Sequence, residues 1–487
     1  MAMTWIGEQL SIVSTGELVT ACLAPLCLYA VCKCIYNVYL HPAAAYPGPQ
    51  LAAVSNIWYA YHWATGRYPW AIQKVLKKYG DVVRIAPNEL VFITPQAFTG
   101  KQPFPIPQDI YEPQTAGLEH FPKTNFMDLG IGDNALLWEM DPVKHHKDAK
   151  QVAPAFSSRA LKEKDVTVNR YIEAFIQKMN KIGDDEEGIE LKAWTDWVAM
   201  DTSAHLAYSR EMHQIRDTKY LFVPPTLVFS FFKIQRLNWE AIHDRIFRRG
   251  NIEELDHFEQ LLPGDAEEPS AKEKVRIMAI VGHLVIAGYE PVASQIFGTL
   301  MFSLLVPGTL RIFVDEIRGA FTSYEEIDGD SVANLPYLHA SLMETLRITV
   351  LSSNGMPRLC PGAVIDGNYV AKGTTVQYGI LAFTRDARYF HGGDNYRPQR
   401  WLPEDHPHWD AAFKSDMRDG FRPFSIGPRA CPGKPLAWRQ TKLFLAKVLW
   451  KFDVEMLPGQ SIVFQRDFRM YGMWKKPNFR VRFRSRE

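Results

Sequence analysis

Residues Phe424–Gly433 read FSIGPRACPG, and this stretch decides how the rest of the chain is interpreted. Its two glycines and two prolines predict a loop with a fixed, unusual backbone path. A largely apolar helix is predicted from Pro435 onward, because proline suits the first turn of a helix. Cys431 then lies just before a helix N-terminus, where the helix dipole and the neighbouring Arg429 favour a thiolate. A thiolate on such a rigid loop suits an iron that must come close to the backbone.

A lone cysteine is usually a small buried hydrophobic residue rather than a ligand. Here it belongs to a longer pattern, Phe-x-x-Gly-x-Arg-x-Cys-x-Gly, formed by Phe424, Gly427, Arg429, Cys431 and Gly433. This pattern closely resembles the haem-binding loop of the cytochrome P450 family. The resemblance implies a haem b, with these five residues around it and the Cys431 thiolate as the axial ligand of the iron.

The composition argues against two other classes of protein. The 487 residues carry a net charge of +1 without a long basic stripe, so nothing indicates nucleic acid as a partner. Four of the six cysteines lie in one N-terminal apolar stretch, which leaves Cys360 and Cys431 for the body of the chain. That is no disulfide framework, and it fits a body that faces a reducing compartment.

The stretch Leu18–Val38 is apolar apart from three polar residues and is about long enough to span a bilayer. Glu8 and Glu17 precede it and Lys33 lies near its end, which is the reverse of a secretory signal peptide. We predict a single-pass anchor at 18–38, with residues 1–17 in the lumen and the body in the cytoplasm. A cleaved signal peptide and a buried helix are the alternatives.

Prolines at His41-Pro42 and Tyr46-Pro47-Gly48-Pro49 predict a stiff hinge over residues 39–52. The hinge is similar to that of microsomal members of the family, particularly fungal ones. The resemblance implies one haem-thiolate catalytic domain over 53–487, mainly α-helical with small β regions (α+β). Its location would be the cytoplasmic face of the endoplasmic reticulum membrane.

Other segments give a coarser prediction. Asp81–Ile93 predicts two short strands around a Pro-Asn turn, and Gln465–Phe483 predicts a strand hairpin. Gln102–Leu137 is rich in Pro and Gly and is expected to form a long loop, which in the family covers the substrate. The apolar run Leu221–Phe232 is expected to be core.

Two further motifs precede the cysteine loop. Glu344 and Arg347 lie three residues apart on a predicted helix, and a Pro-x-Arg-Trp segment with Arg400 follows about fifty residues on. An exposed pair at this spacing is commonplace. The order Glu-x-x-Arg, Pro-x-Arg-Trp and cysteine loop nevertheless resembles the family's ordered trio, with Gln399 replacing the commoner glutamate. The resemblance implies that Glu344, Arg347 and Arg400 form a buried charge network that supports the loop.

Basic side chains cluster on a helix that Asp141-Pro142 predicts. A charge cluster on a helix is usually a solvated face. The resemblance places His146 and Lys150 against the haem propionates, with Lys150 where the family usually has arginine. Arg358 matches a second propionate-pairing position, and Val350–Gly355 would line the substrate pocket.

Apolar residues from Lys274 to Leu305 follow helical spacing, a pattern that usually means plain core. Their place before the later motifs resembles the family's long central helix over the haem. That helix is expected to carry Ala/Gly-Gly-x-Glu/Asp-Thr, whereas this chain has AGYEP at 287–291. Pro291 thus replaces a threonine whose hydroxyl helps to deliver protons during oxygen activation in the family.

Proline also lacks an N–H, so the carbonyl of Ala287 loses its helical partner and a kink is expected at Pro291. Glu290, or Ser294 about one turn later, could partly replace the missing donor. We therefore predict Glu290, Pro291 and Ser294 as the distal catalytic residues. Alternatively, Pro291 merely exaggerates a kink that the family already has.

The resemblance implies a haem-dependent monooxygenase that oxidises a hydrophobic small molecule of secondary metabolism with dioxygen. Its partners would be an NADPH-dependent flavoprotein reductase and membrane lipid. Because of Pro291, desaturation, ring closure, oxidative coupling or rearrangement are alternatives to hydroxylation. A non-catalytic haem protein and a membrane-tethered scaffold without haem are the remaining alternatives.

Overall fold

The computed structural model describes residues 15–99, 110, 111, 121–125, 134–220, 236 and 239–486. The predictions for a lumenal segment before residue 15, for most of the loop at 102–137 and for the apolar run at 221–232 concern residues outside these ranges.

The described part of the chain is mainly helical with small sheets, which confirms the predicted fold class. Most of its helices are amphipathic or buried and pack side by side. The longer ones are α1 (Thr15–Ile35), α2 (Ile57–Ala64), α3 (Tyr68–Tyr79), α4 (Pro142–Val152), α5 (Ser158–Ile182), α6 (Leu191–Tyr208), α7 (Ala271–Leu305), α8 (Thr309–Ala320), α9 (Pro336–Ile348) and α10 (Lys434–Lys451).

Short strands form the small sheets, which lie around the helices. In chain order they are β1 (Val82–Ala86), β2 (Glu89–Phe92), β3 (Ile189–Glu190), β4 (Arg358–Leu359), β5 (Ala363–Ile365), β6 (Asn368–Val370), β7 (Thr375–Tyr378), β8 (Phe452–Met456), β9 (Arg469–Met470), β10 (Trp474–Lys475) and β11 (Arg480–Ser485). The largest sheet has the order β1-β2-β7-β4, in which only β2 and β7 run parallel. Further along the chain, β9 and β10 form a short hairpin and β11 pairs with both β3 and β8.

Helix α7 is the central element and is tightly held by its neighbours. Its start is fixed by a capping box, in which Ser270 and Glu273 satisfy each other's backbone N–H groups. Every residue from Val292 to Ser303 is buried. The Gln295 side-chain amide donates to the carbonyl of Leu342 on α9 over 2.7 Å, so the central helix is locked to the helix that carries Glu344.

One exposed apolar helix has the length and composition of a membrane span. The stretch Val19–Leu40 has a mean hydropathy of 1.7, and none of its most apolar window is buried. Helix α7 passes the same test of composition, but 56% of its window is buried, which makes it a core helix. The N-terminal helix is therefore consistent with the predicted anchor, and the boundaries drawn at 18–38, 39–52 and 53–487 stay predictions.

The predicted hinge is packed against strand β1. The backbone N–H of Arg84 donates to the carbonyl of Pro47, and the buried Arg84 guanidinium donates to the carbonyl of Asn37, both over 2.8 Å. A Cβ on Gly48 would lie 2.2 Å from the carbonyl oxygen of Arg84, so this contact requires glycine. The segment that joins the apolar helix to the body is therefore held firmly against the sheet.

The contact between α7 and α9 gives a first prediction. A Cβ on Gly298 would lie 2.8 Å from Cγ2 of Thr345, a distance that forces the two helices apart. We expect Gly298→Ala to lower the free energy of unfolding by about 1–3 kcal/mol, measured by denaturant unfolding.

Gly319→Ala on α8 is the matched control, because a Cβ there meets no atom within 4 Å. It is expected to stabilise the helix by about 0.5–1 kcal/mol. Equal effects of the two substitutions would contradict the close packing of α7 on α9.

Candidate haem-thiolate site

The loop that carries Cys431 is fixed by its own backbone hydrogen bonds. The N–H of Cys431 donates to the carbonyl of Phe424 over 2.8 Å, and the N–H of Ala430 donates to the carbonyl of Gly427 over 3.0 Å. Gly427 has φ of +68°, a conformation that favours glycine. Helix α10 begins at Lys434, so the cysteine does lie directly before a helix N-terminus.

Cys431 is exposed to solvent, although protein surrounds its thiol closely. Burial raises the pKa of the thiol, while the N–H groups of Gly433 and Lys434 and the Lys434 charge lower it; the pKa remains above its ordinary value. This direction is opposite to the lowering expected from the helix N-terminus. Arg429, expected to help, instead donates to the carbonyl of Glu139 over 2.6 Å. The thiolate therefore needs a bound cation, which deprotonates a coordinating thiol.

Gly433, two residues after the cysteine, leaves room beside the sulfur. A Cβ on Gly433 would meet only Phe156 at 3.7 Å and the Cys431 Sγ at 3.9 Å, so glycine keeps the loop open near the sulfur. The Phe424 ring packs on α10, with its centroid 5.7 Å from that of Trp438. The sulfur is thus accessible on a loop whose flanks are packed.

Cationic side chains gather close to this loop. Burial, followed by the charges of Arg358 and Arg429, lowers the pKa of Lys123 to about 7. Burial likewise lowers the pKa of Arg429 to about 10, with Arg358 acting in the same direction. Burial lowers the pKa of His145 to about 4, with Arg429, Lys123 and Arg358 as the next causes. Lys123, Arg358 and Arg429 are therefore close enough to repel one another, with the neutral imidazole of His145 among them, and we call the four groups the cation cluster.

The cation cluster lacks an anionic partner within the part of the chain that the structure describes. No carboxylate there forms an ion pair with any of its members, and the Nε atom of the buried Arg358 has no hydrogen-bond partner. Uncompensated buried charge is costly, so the cluster calls for an anion from outside the chain. The carboxylates of a haem would supply that anion, and the accessible Cys431 would supply the iron ligand. The residues present fit a haem.

Helix α4 presents a different residue to the cation cluster than the pattern suggested. His145 is buried at 8% exposure among the cations, whereas its neighbour His146 is exposed. Lys150 is also exposed and lies beside Glu273 and Arg276 of α7. The sequence pattern could not show which of the two adjacent histidines faces the cluster, because that depends on how the helix is rotated against its neighbours. The roles given to His146 and Lys150 stay predictions, and His145 is the residue of α4 that joins the cluster.

The predicted charge network is assembled and fully buried. Arg347 binds Glu344 through two hydrogen bonds of 2.8 and 2.7 Å, and the Nε atom of Arg400 lies 3.0 Å from the same carboxylate. Burial alone would raise the pKa of Glu344, but Arg347 and Arg400 hold that pKa below its ordinary value. The Trp401 indole N–H and the backbone N–H of Arg397 complete the set of donors to Glu344, each over 2.8 Å.

The network also reaches the segment that leads into the cysteine loop. The remaining charge of Arg400 is paired with Asp416, a buried residue that the sequence patterns did not single out. Asp416 accepts the backbone N–H of His391 over 2.7 Å, and Arg418 donates to the carbonyl of Arg400 over 3.1 Å. The chain is thus tied down on the approach to Phe424. Sequence reasoning missed Asp416 because a lone aspartate in a loop carries no pattern.

The residues predicted for the distal side lie along one part of α7. The helix continues through Pro291 without interruption, and Ala287 is exposed although the following turns are buried. Glu290 is buried and accepts a hydrogen bond of 2.7 Å from the Ser294 hydroxyl. Burial raises the pKa of Glu290, and Lys476 and Ser294 act against that rise. Glu290 and Ser294 are therefore a coupled pair one helical turn apart, with Pro291 between them.

Comparisons with known proteins agree with this geometry. A family model described as Cytochrome P450 matches residues 242–483. The chain is 42% identical to a cytochrome P450 monooxygenase TwmD of Talaromyces wortmannii, over 96% of each chain. It is 33% identical to a cytochrome P450 monooxygenase BOA3 of Botryotinia fuckeliana, over 95% of each chain, and 31% identical to poxC of Penicillium oxalicum, another cytochrome P450 monooxygenase, over 94% and 92% of the two chains.

The buried network gives the second prediction. Arg400→Ala leaves Glu344 and Asp416 without one of their counter-charges, and breaking a buried pair in this way typically costs about 3–5 kcal/mol. We expect a loss of that size in the free energy of unfolding, together with a loss of haem from the purified protein.

Arg311→Ala on α8 is the control, because Arg311 and its partner Asp315 are both exposed. It is expected to cost less than about 1 kcal/mol and to leave the haem content unchanged. A normal haem content in Arg400→Ala would contradict a supporting role for the network.

Proposed function

This chain belongs to the cytochrome P450 family, and on that premise we propose that it oxidises a hydrophobic small molecule with dioxygen and electrons from NADPH. An NADPH-dependent flavoprotein reductase would deliver the electrons. The similarity of this chain to monooxygenases of several fungi supports an intermediate of fungal secondary metabolism as the substrate. The membership itself makes the chain a monooxygenase, that is, an oxidoreductase.

The observation that carries the proposal is the unpaired cation cluster beside an accessible cysteine. Cys431 would hold the iron, and Arg358, Arg429, His145 and Lys123 would hold the two propionates. When bound, the haem would supply the activation of dioxygen, which a thiolate ligand promotes by donating electron density. A scaffold without haem gives no reason for cations that lack an anionic partner to gather beside a cysteine. Their arrangement therefore supports a haem protein over that alternative.

The distal residues determine how protons reach the site. Pro291 offers neither a hydroxyl nor an N–H, so it can hold no proton. The Glu290 carboxyl and the Ser294 hydroxyl, 2.7 Å apart, are the nearest pair on α7 that can hold and pass one. Ordinary hydroxylation remains possible by this route, and desaturation, ring closure, coupling or rearrangement are the outcomes if it is slow.

The N-terminal helix supports a membrane location. We infer that Val19–Leu40 anchors the chain in the endoplasmic reticulum membrane, with the catalytic domain on the cytoplasmic side. A hydrophobic substrate would reach such a site from the surrounding lipid. The body of the chain has few cysteines, which fits a reducing compartment such as the cytoplasm.

Labelled dioxygen tests the reaction class. Full-length protein, reductase and NADPH are incubated with candidate hydrophobic substrates under oxygen-18 gas, and products are analysed by mass spectrometry. We expect one labelled oxygen atom in the product, because monooxygenation inserts one atom of dioxygen and releases the other as water. An oxidised product without label would exclude hydroxylation and favour desaturation or coupling. If no substrate gives an NADPH-dependent product, the non-catalytic alternative is supported.

Substitution of Pro291 tests the distal assignment. Pro291→Thr restores a hydroxyl and Pro291→Ala does not, while both remove the ring. We expect the threonine variant alone to increase product formed per NADPH consumed, by about tenfold or more if proton delivery limits the wild type. An equal increase in the alanine variant would assign the effect to the backbone rather than to the hydroxyl.

A further inference from the structure

One buried lysine takes no part in the contacts proposed for the haem. Lys164 on α5 is 0% exposed, although lysine is rarely buried to this extent. Its Nζ atom donates to the carbonyl of Ala155 over 2.6 Å and lies 3.1 Å from Nδ1 of His257. Burial lowers the pKa of His257 well below its ordinary value. The imidazole is therefore neutral, and its Nδ1 atom accepts the hydrogen bond, because a lysine ammonium offers only donors.

Both partners of Lys164 lead to the same aromatic side chain, Phe156. Ala155 directly precedes Phe156 in the short helical turn Ala153–Phe156, so the hydrogen bond to its carbonyl fixes the backbone next to the ring. The His257 ring packs on the Phe156 ring, with the centroids 5.0 Å apart and an angle of 35° between the planes. The Lys164 ammonium itself lies 6.0 Å from the centroid of the Phe156 ring, within reach of a cation–π contact.

His257 is fixed in turn by a buried ion pair. It begins the short helix His257–Leu261, whose N-cap is Asp256. Arg245 donates to the Asp256 carboxylate through two hydrogen bonds of 2.7 and 3.1 Å, and both side chains are fully buried. The imidazole that packs on Phe156 therefore belongs to the folded core.

An edge carbon of Phe156 faces the cysteine loop. A Cβ on Gly433 would lie 3.7 Å from Cε1 of the Phe156 ring and 3.9 Å from the Sγ atom of Cys431. The ring and the sulfur therefore flank the same glycine. Hydrogen bonds and solvent around a metal-bound sulfur weaken its electron donation and change the potential of the metal. A side chain at this place can control how much water reaches the sulfur.

We propose that Phe156 is a positioning residue for the haem ligand: its ring, held by Lys164 and His257, limits the access of water to the Cys431 sulfur. Lys164 then serves as a hydrogen-bond donor to two neutral acceptors rather than as half of an ion pair. This inference rests on the proposed function, because a shielded sulfur matters only where the sulfur binds iron.

The contacts of Lys164 could instead stabilise the fold and nothing more. The two interpretations differ in what happens at the sulfur. Resonance Raman spectroscopy of the haem-loaded ferric protein measures the Fe–S stretching frequency, and a redox titration measures the reduction potential of the haem. A purely structural role of Phe156 and Lys164 changes neither quantity.

We expect Phe156→Ala to lower the Fe–S stretching frequency and to shift the reduction potential to a more positive value, because water then hydrogen-bonds to the sulfur. The red-shifted carbon monoxide band should also convert to the unshifted form about tenfold faster or more. Lys164→Met should act in the same direction, since Ala155 and His257 lose their shared donor. Lys164→Gln keeps two N–H donors and should lie closer to the wild type than Lys164→Met.

Lys442→Met is the matched control. Lys442 is 6% exposed and also donates to a backbone carbonyl over 2.6 Å, but that carbonyl belongs to Ala333. We expect this variant to lose stability while its Fe–S frequency and reduction potential stay as in the wild type.

Wild-type values of both quantities in Phe156→Ala and Lys164→Met would overturn the inference and leave a structural role. If either variant fails to fold, the milder Phe156→Val decides: a shift in the same direction supports the inference, and unchanged values refute it. A wild-type protein without the red-shifted carbon monoxide band would instead refute the proposed haem-thiolate site.

Discussion

The bidentate contact between Arg347 and Glu344 is the interaction on which the site depends, because it brings distant parts of the chain to one buried point. Glu344 also binds Arg400, which in turn binds Asp416 on the approach to the cysteine loop. Buried charges are tolerated only when every one of them is matched, and this network matches them all. The network therefore holds the segment that leads into the cysteine loop, while the loop's own backbone hydrogen bonds set its conformation.

The charges of the cation cluster, in contrast to those of the network, have no anionic partner in the described part of the chain. Lys123, Arg358 and Arg429 repel one another and keep the neighbouring His145 neutral, and the described part of the chain offers no carboxylate that pairs with them. The charge of Glu344 is fully paired, whereas the cluster has no anionic partner. This contrast supports a bound anionic ligand at the cluster. In the proposed site, Cys431 would bind the iron, the cation cluster would pair with the propionates, and the buried network would support the loop. On the proposed distal side, Pro291 stands where the family usually has a threonine, and the buried Glu290 accepts a hydrogen bond from Ser294.

The sequence alone predicted the helical fold class, the cysteine loop and the order of the motifs, because short patterns with fixed spacing survive without tertiary information. It did not identify His145 or Lys123, since the face that a helix turns towards a site depends on what it packs against. Asp416 was missed because a lone aspartate in a loop carries no pattern. The pKa of the Cys431 thiol was predicted in the wrong direction, because burial outweighs the helix N-terminus.

The central claim is that Cys431 binds haem iron as a thiolate. It is tested most directly by the difference spectrum of the purified, reduced protein with and without carbon monoxide. The account predicts the red-shifted Soret band of a thiolate-ligated haem, and its loss in Cys431→Ala. A Soret band without the red shift in the wild type, or an unchanged red-shifted band in Cys431→Ala, would contradict it.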